Sequence, residues 1–233
     1  MIKLFKKSSR YQQTFSNRKI EGFSLFSSSA QFDSINQYFG DIYSFCDYHG
    51  FPGYGIPMHP HEHFTVISMI VEGRMHFQDQ LGHDLIASRG DVYWFHAGKG
   101  YLHSVHNEGP GKCRFISIWL RQTLNKDEVS FHYQPGVFKE LKDGTVKKLY
   151  PLAEEDCLSE NEPVLHYGKV DSEKVVIACS PSSVGLLYII KGSLLTNDLE
   201  LNEGDHIRYE KIKSLELIPQ EESEFVVVQM SNR

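Results

Sequence analysis

From Phe64 onward the chain alternates short apolar, β-branched and aromatic runs with turn residues. The runs are Phe64–Val71, Arg74–Gln78, Asp84–Ala87, Val92–Phe95, Leu102–His106 and Arg114–Leu120. Between them stand Glu72–Gly73, Leu81–Gly82, Arg89–Gly90–Asp91, Gly98–Lys99–Gly100 and the stretch from Asn107 to Gly111, all suited to tight turns. Runs of this length with such punctuation predict an all-β sandwich or barrel. No long amphipathic pattern interrupts them, and helix is expected only as short pieces around Ser34–Gly40 and Asn125–Val129.

The pattern repeats. Ile70-Val71-Glu72-Gly73, followed by Gly90-Asp91-Val92-Tyr93, is echoed by Ile189-Ile190-Lys191-Gly192, followed by Gly204-Asp205-His206-Ile207. In each copy an apolar strand enters a turn of one charged residue and glycine, a hairpin follows, and Gly-Asp opens the next strand. Such self-similarity predicts two β-barrels in tandem. The stretch from Gln134 to Pro163 holds Pro135, Gly136, Gly144, Pro151 and an acidic patch at Glu154–Asp156. It reads as a connection, which places an N-terminal barrel at residues 1–134 and a C-terminal one, with the connecting segment, at 135–233.

Composition narrows the function classes. A formal charge of −6 and a pI near 6.0 exclude the concentrated basic footprint that nucleic acid requires. The apolar stretches Phe64–Val71 and Gly185–Ile190 fall well short of the ~18 residues of a membrane-crossing helix. Met1–Arg10 carries Lys3, Lys6, Lys7 and Arg10 without an apolar run behind them, so no secretory signal is expected and the chain reads as cytoplasmic. Cys46, Cys113, Cys157 and Cys179 lack any C-x-x-C spacing and are expected as free thiols. A monomer or weak dimer is the expected state.

The twelve histidines carry the chemistry. His59-Pro60-His61 precedes the strand at Phe64, and alternation in an extended segment turns both imidazoles to one side. His103 lies beyond three hairpin turns, where a rolled antiparallel sheet can bring it alongside. Three neutral imidazoles suit iron, nickel, copper or zinc and leave positions open for water, oxygen or substrate. The competing reading is a surface pair or a packed core feature, which is what a lone H-x-H in a β protein commonly is. His63 shares the parity of the pair and is a pocket candidate. Glu62, His106 and Glu108 alternate away from it. Tyr54, Phe64, Trp94 and Tyr101 are available as apolar walls for a ligand.

The frame around the histidines is specific. Gly53, His59-x-His61 and Gly73 match the first cupin motif in spacing; Gly90-Asp91, Ala97-Gly-Lys-Gly100, His103 and Asn107 resemble the second. The stretches His59-Pro-His-Glu-His-Phe-Thr-Val66, Glu72-Gly-Arg-Met75, Gly90-Asp-Val-Tyr-Trp94 and Ala97-Gly-Lys-Gly-Tyr-Leu-His-Ser104 resemble the pirin family, including its bacterial quercetinase-like members. The resemblance covers roughly residues 50 to 120. It implies a bicupin of two tandem jelly-roll β-barrels, with one metal ion, usually iron, held in the N-terminal barrel by three histidines and a glutamate. Some members cleave the flavonol quercetin with dioxygen; others are transcriptional cofactors or lack an assigned activity.

Carried over residue by residue, the ligands are His59, His61 and His103, and the glutamate position falls on Val105. An isopropyl group cannot ligate. Thr65 stands where the pattern has an acidic residue, so no carboxylate on that strand compensates; Thr65, Tyr101 and Val105 join His63 as pocket candidates. The second repeat lacks H-x-H and is expected to be metal-free. Three functions follow: a metal-dependent dioxygenase acting on a flavonol-like aromatic molecule, a non-enzymatic regulator or ligand-binding protein, and a barrel that has lost its metal.

Overall fold

The computed structural model describes residues 1–16, 18–27, 33–122, 127–139, 141–151 and 162–232. The sequence-predicted strands appear within one or two residues of their expected ends, from Phe64–Glu72 through Cys113–Arg121. The expected helix at Ser34–Gly40 is a turn and an isolated bridge, Phe39 to Ile42. Of Asn125–Val129, residues 127–129 are irregular and the first two lie outside the described residues. The helical element among the described residues is one 3-10 turn, Lys7–Ser9.

The chain divides into two compact units, one of residues 10–140 and one of residues 1–9 with 141–233. This differs at both ends from the expected 1–134 and 135–233. Ile2–Phe5 pairs antiparallel with His206–Glu210 and so belongs to the second unit. Part of the expected connection is sheet: Thr145–Tyr150 pairs with Val164–Val170. Propensity could not show either, because both depend on pairing with remote strands.

In the first unit a four-stranded sheet runs Gly55–His61, Tyr101–Asn107, Arg74–Asp79, Asp84–Ser88. A seven-stranded sheet runs Ser130–Gln134, Val92–His96, Phe64–Glu72, Cys113–Arg121, Ile42–Gly50, Ile20–Ser24, Tyr11–Phe15. Both sheets are open, and their inner faces share one core that includes Val66, Tyr93, Phe95 and Phe115 from one sheet and Met75, Phe77, Tyr101 and Val105 from the other. The second unit repeats the plan with six- and four-stranded sheets around Leu187, Ile207 and Phe225 on one side and Leu194, Leu201 and Leu215 on the other.

The repeat seen in the sequence is reproduced atom for atom at its turns. Gly90 N–H donates to the Ile70 carbonyl at 2.9 Å and Gly204 N–H to that of Ile189 at 2.9 Å. The Asp91 carboxylate accepts from Ser88 N–H at 2.7 Å, as Asp205 does from Asn202 N–H at 3.0 Å. The aspartate thus folds back on its own turn, which explains why Gly-Asp opens the next strand in both copies. Gly73 and Gly192 have φ of +75° and +79°, and a Cβ at Gly73 would sit 2.7 Å from the Lys112 carbonyl oxygen. Both the left-handed backbone and the close approach require glycine. Gly73→Ala is expected to destabilise the protein by about 1–3 kcal/mol, read as a lower urea midpoint; an unchanged midpoint would show that the turn relaxes freely.

Candidate metal centre

The three histidines come together through one strand pairing. Gly55–His61 and Tyr101–Asn107 run antiparallel with His103 opposite His59 and Tyr101 opposite His61. Between His59 and Ile56 the first strand carries two residues, Pro57 and Met58, against Ser104 alone on its partner, a bulge. Proline fits there because a bulge leaves a backbone group out of the ladder. His61 Nε2 lies 3.1 Å from His59 Nε2 and 3.0 Å from His103 Nε2. His61 and His103 are each 4% exposed, and His59 is half-buried.

These distances test whether the groups suit a cation. His59 Nδ1 sits 2.8 Å from the Pro57 carbonyl, so in the neutral ring Nδ1–H donates there and the Nε2 lone pair faces its neighbours. Burial lowers the proton affinity of all three rings: His59 is lowered, His61 falls to about 3 with the neighbouring His59 adding to the effect, and His103 falls well below the ordinary value. Neutral rings cannot bridge three crowded nitrogens, since a single proton on His61 Nε2 can serve only one of its two neighbours. A cation serves all three lone pairs, and neutral imidazole is the form that ligates. Among the described residues these three form the one group of histidine, cysteine and carboxylate side chains with ligand atoms close enough for an ion, within 4.8 Å of one another.

Val105 lines the same cavity as the trio and is 2% exposed. The cavity has room for about one water-sized particle, roughly 20 Å³. Its remaining walls include Ile56, Phe115 and Trp119, with the hydroxyl-bearing Tyr48, Ser68, Tyr93 and Ser117. Among the described residues no carboxylate lines it.

The other pocket candidates lie elsewhere. Thr65 is on the opposite face of its strand from Val66, and its hydroxyl meets His96 Nδ1 at 2.7 Å. His63 breaks the expected alternation because its backbone is left-handed, φ +59°; its ring is exposed and 3.2 Å from Glu62. Tyr101 stacks on Phe95 at 4.1 Å and donates its hydroxyl to the buried Asp79. Trp94 faces away and stacks on His132 at 5.1 Å, and Tyr54 is 42% exposed beside Lys19. Cys46 and Cys113 are buried, with burial pushing the Cys113 thiol up to about 11, so both act as packed thiols. Cys157 lies outside the described residues.

A second feature was hidden in the sequence. Trp119 meets His61 edge-on at 4.6 Å. Next come Phe64, 5.8 Å from Trp119, and Tyr43, stacked on Phe64 at 4.8 Å. The Arg121 guanidinium covers Tyr43 at 5.5 Å and Tyr38 at 4.2 Å. Tyr43 is the extra residue of a bulge between Ile42 and Ser44, opposite Leu120 and Trp119. An aromatic shelf with a cation at its end therefore leads from His61 to the surface.

Comparison with known proteins places this architecture. The family model described as Pirin matches residues 5–120. A pirin-like protein of Solanum lycopersicum is 30% identical over 45% of the chain and a third of its own length. A Zymomonas mobilis protein named "Putative quercetin 2,3-dioxygenase" is 25% identical over 76% of the chain and 77% of its own length. Among solved structures, the Escherichia coli pirin YhhW in complex with nickel(II) superposes with a TM-score of 0.89 over the full length of both chains at 18% identity. Quercetin 2,3-dioxygenase from Acinetobacter baumannii gives 0.78 over 99% of this chain and 86% of its own, also at 18%. These structures show a shared fold, the bicupin.

The burial of His61 sets a pH dependence. Its folded-state value of about 3 lies below the ordinary 6.5. Between the two, the unfolded chain binds a proton that the folded chain refuses. Stability of the metal-free protein, fully present above about pH 6.5, therefore falls as pH drops toward 3. His61→Leu is expected to flatten the slope of unfolding free energy over roughly pH 4–6; an equal slope would show that His61 is solvated.

Proposed function

The chain belongs to the pirin family through residues 5–120, and on that premise we propose that it binds one divalent first-row metal ion on His59, His61 and His103 and acts on an oxygenated aromatic small molecule as a dioxygenase. The observation that carries this reading is the convergence of three imidazoles: His61 Nε2 lies 3.1 Å from His59 Nε2 and 3.0 Å from His103 Nε2, and the three ligand atoms all lie within 4.8 Å of one another. Neutral imidazole suits first-row ions, iron first, with nickel, copper and zinc as the other candidates.

A bound ion of this kind supplies a Lewis acid that holds and polarises a substrate oxygen. The residues of the chain do the rest. Ile56, Val105 and Phe115 make the apolar part of the cavity wall, and the Pro57 carbonyl fixes the tautomer of His59. The cavity is far too small for a flavonol, so an aromatic substrate lies across the mouth, stacked along Phe64 and Tyr43 with Arg121 available to an anionic oxygen. Quercetin-directed names among the relatives support this substrate class.

The replacement of the family glutamate by Val105 favours a second reading, a pirin-like metal or ligand binder without catalysis. Among the described residues no carboxylate on the cavity wall is placed to take a substrate proton. Oxygen uptake by the iron-loaded protein with a flavonol panel separates the two: uptake that His61→Ala abolishes supports the dioxygenase, and absence of uptake with metal bound supports the binder. No retained ion after loading with iron, nickel, copper or zinc would overturn both. Val105→Glu is expected to tighten metal retention about 10–100-fold, measured by competition with a chelator; unchanged retention would show that position 105 does not face the ion.

A further inference from the structure

The cavity beneath the three imidazoles has a polar wall that ligation by histidine alone leaves unused. Tyr93 lines it and is completely buried, and among the described residues its hydroxyl has no partner at full hydrogen-bond distance, the Ser68 hydroxyl being the polar group that acts on it. Ser68 and Ser117 line the same cavity. Their grouping follows from register: Tyr93 stands opposite Ser68, and Ser68 opposite Ser117, so one row crosses three adjacent strands of the seven-stranded sheet. Their neighbours on the same face, Val66, Ile70, Phe95 and Phe115, belong to the apolar core.

Each member of the row is placed to serve something in the cavity. Trp119 Nε1 donates to Ser117 Oγ at 3.2 Å, which leaves the serine proton available for donation. Phe77 stands between Tyr93, at 4.8 Å, and His103, at 5.5 Å, tying the phenol to the histidine side of the cavity. A buried phenol without a partner at full hydrogen-bond distance is rare in native proteins, and such a group commonly meets an ordered water. The space available suits one water, and a buried water needs two to four polar partners. The isopropyl group of Val105 offers none.

Resting on the metal site proposed above, we propose that Tyr93, with Ser68 and Ser117 beside it, holds a single water in this cavity as the fourth ligand of the ion, in place of the carboxylate that Val105 lacks. Tyr93 is then a positioning residue acting through that water. The position is exchangeable, and the ligands it admits are water, hydroxide and other molecules of two or three atoms.

The test is titration of metal-free protein with Co(II), following affinity and the visible absorption bands that report coordination. Tyr93→Phe, nearly the same shape, is expected to weaken Co(II) binding about 10-fold and to alter those bands. Urea unfolding of the metal-free variant close to the wild-type midpoint would accompany this, since the contact with Ser68 is the polar interaction removed. Wild-type affinity and bands in Tyr93→Phe would overturn the proposal while leaving the three-histidine site standing. Failure of the wild-type protein to bind Co(II) would instead overturn the metal site, and this inference with it. Should Tyr93→Phe fail to fold, Ser68→Ala probes the same wall: weakened binding with altered bands supports the proposal, and unchanged binding overturns it.

Discussion

The antiparallel register between Gly55–His61 and Tyr101–Asn107 decides which side chains meet in the first unit, because alternation makes a one-residue slip exchange the two faces of a strand. With His103 opposite His59, the inner face presents His59, His61, His103 and Val105 together. A slip would bring in Leu102 and Ser104 instead. The backbone itself guards the pairing: a Cβ at Gly55 would sit 2.1 Å from the Val105 carbonyl oxygen, so the close approach of the two strands depends on glycine there. The Pro57–Met58 bulge then brings His59 back into register with His103 and offers the Pro57 carbonyl to its ring.

That pairing puts three basic side chains where none can easily carry a proton. Burial lowers all three, and two neighbouring carboxylates pair elsewhere, Asp79, opposite His103 in the sheet, with Tyr101 and His83, and Glu62 with His63. Neutral rings this close, 3.1 and 3.0 Å from His61 Nε2, are poorly satisfied on their own terms, and an ion would serve all three lone pairs. With Val105 where the pirin resemblance implies a glutamate, a metal site here would differ in charge as well as in ligand count. A divalent ion on three neutral imidazoles keeps both of its charges, which makes an anionic or readily deprotonated ligand at the mouth or in the cavity favourable.

The core of this site was legible in the sequence because it depends on parity. His59 and His61 differ by two, His103 and Val105 differ by two, and both segments are extended. The two-unit plan was legible from the repeated glycine turns. What was not legible depends on breaks in regularity or on pairing across the sheet. Tyr43 reaches the Phe64–Trp119 shelf through a bulge, and His63 leaves the expected face because its backbone turns left-handed. Tyr93, Ser68 and Ser117 form a row only through register, and Ile2–Phe5 joins the second unit only by pairing with a strand some two hundred residues away.

X-ray absorption fine structure of the iron- or nickel-loaded protein reads the centre most directly. Three imidazole nitrogens at about 2.1 Å on a single ion, accompanied by oxygen ligands from solvent, is the expected result. A spectrum with fewer than three imidazoles, or one unchanged when His61 is replaced by alanine, would contradict the convergence on which the site is built.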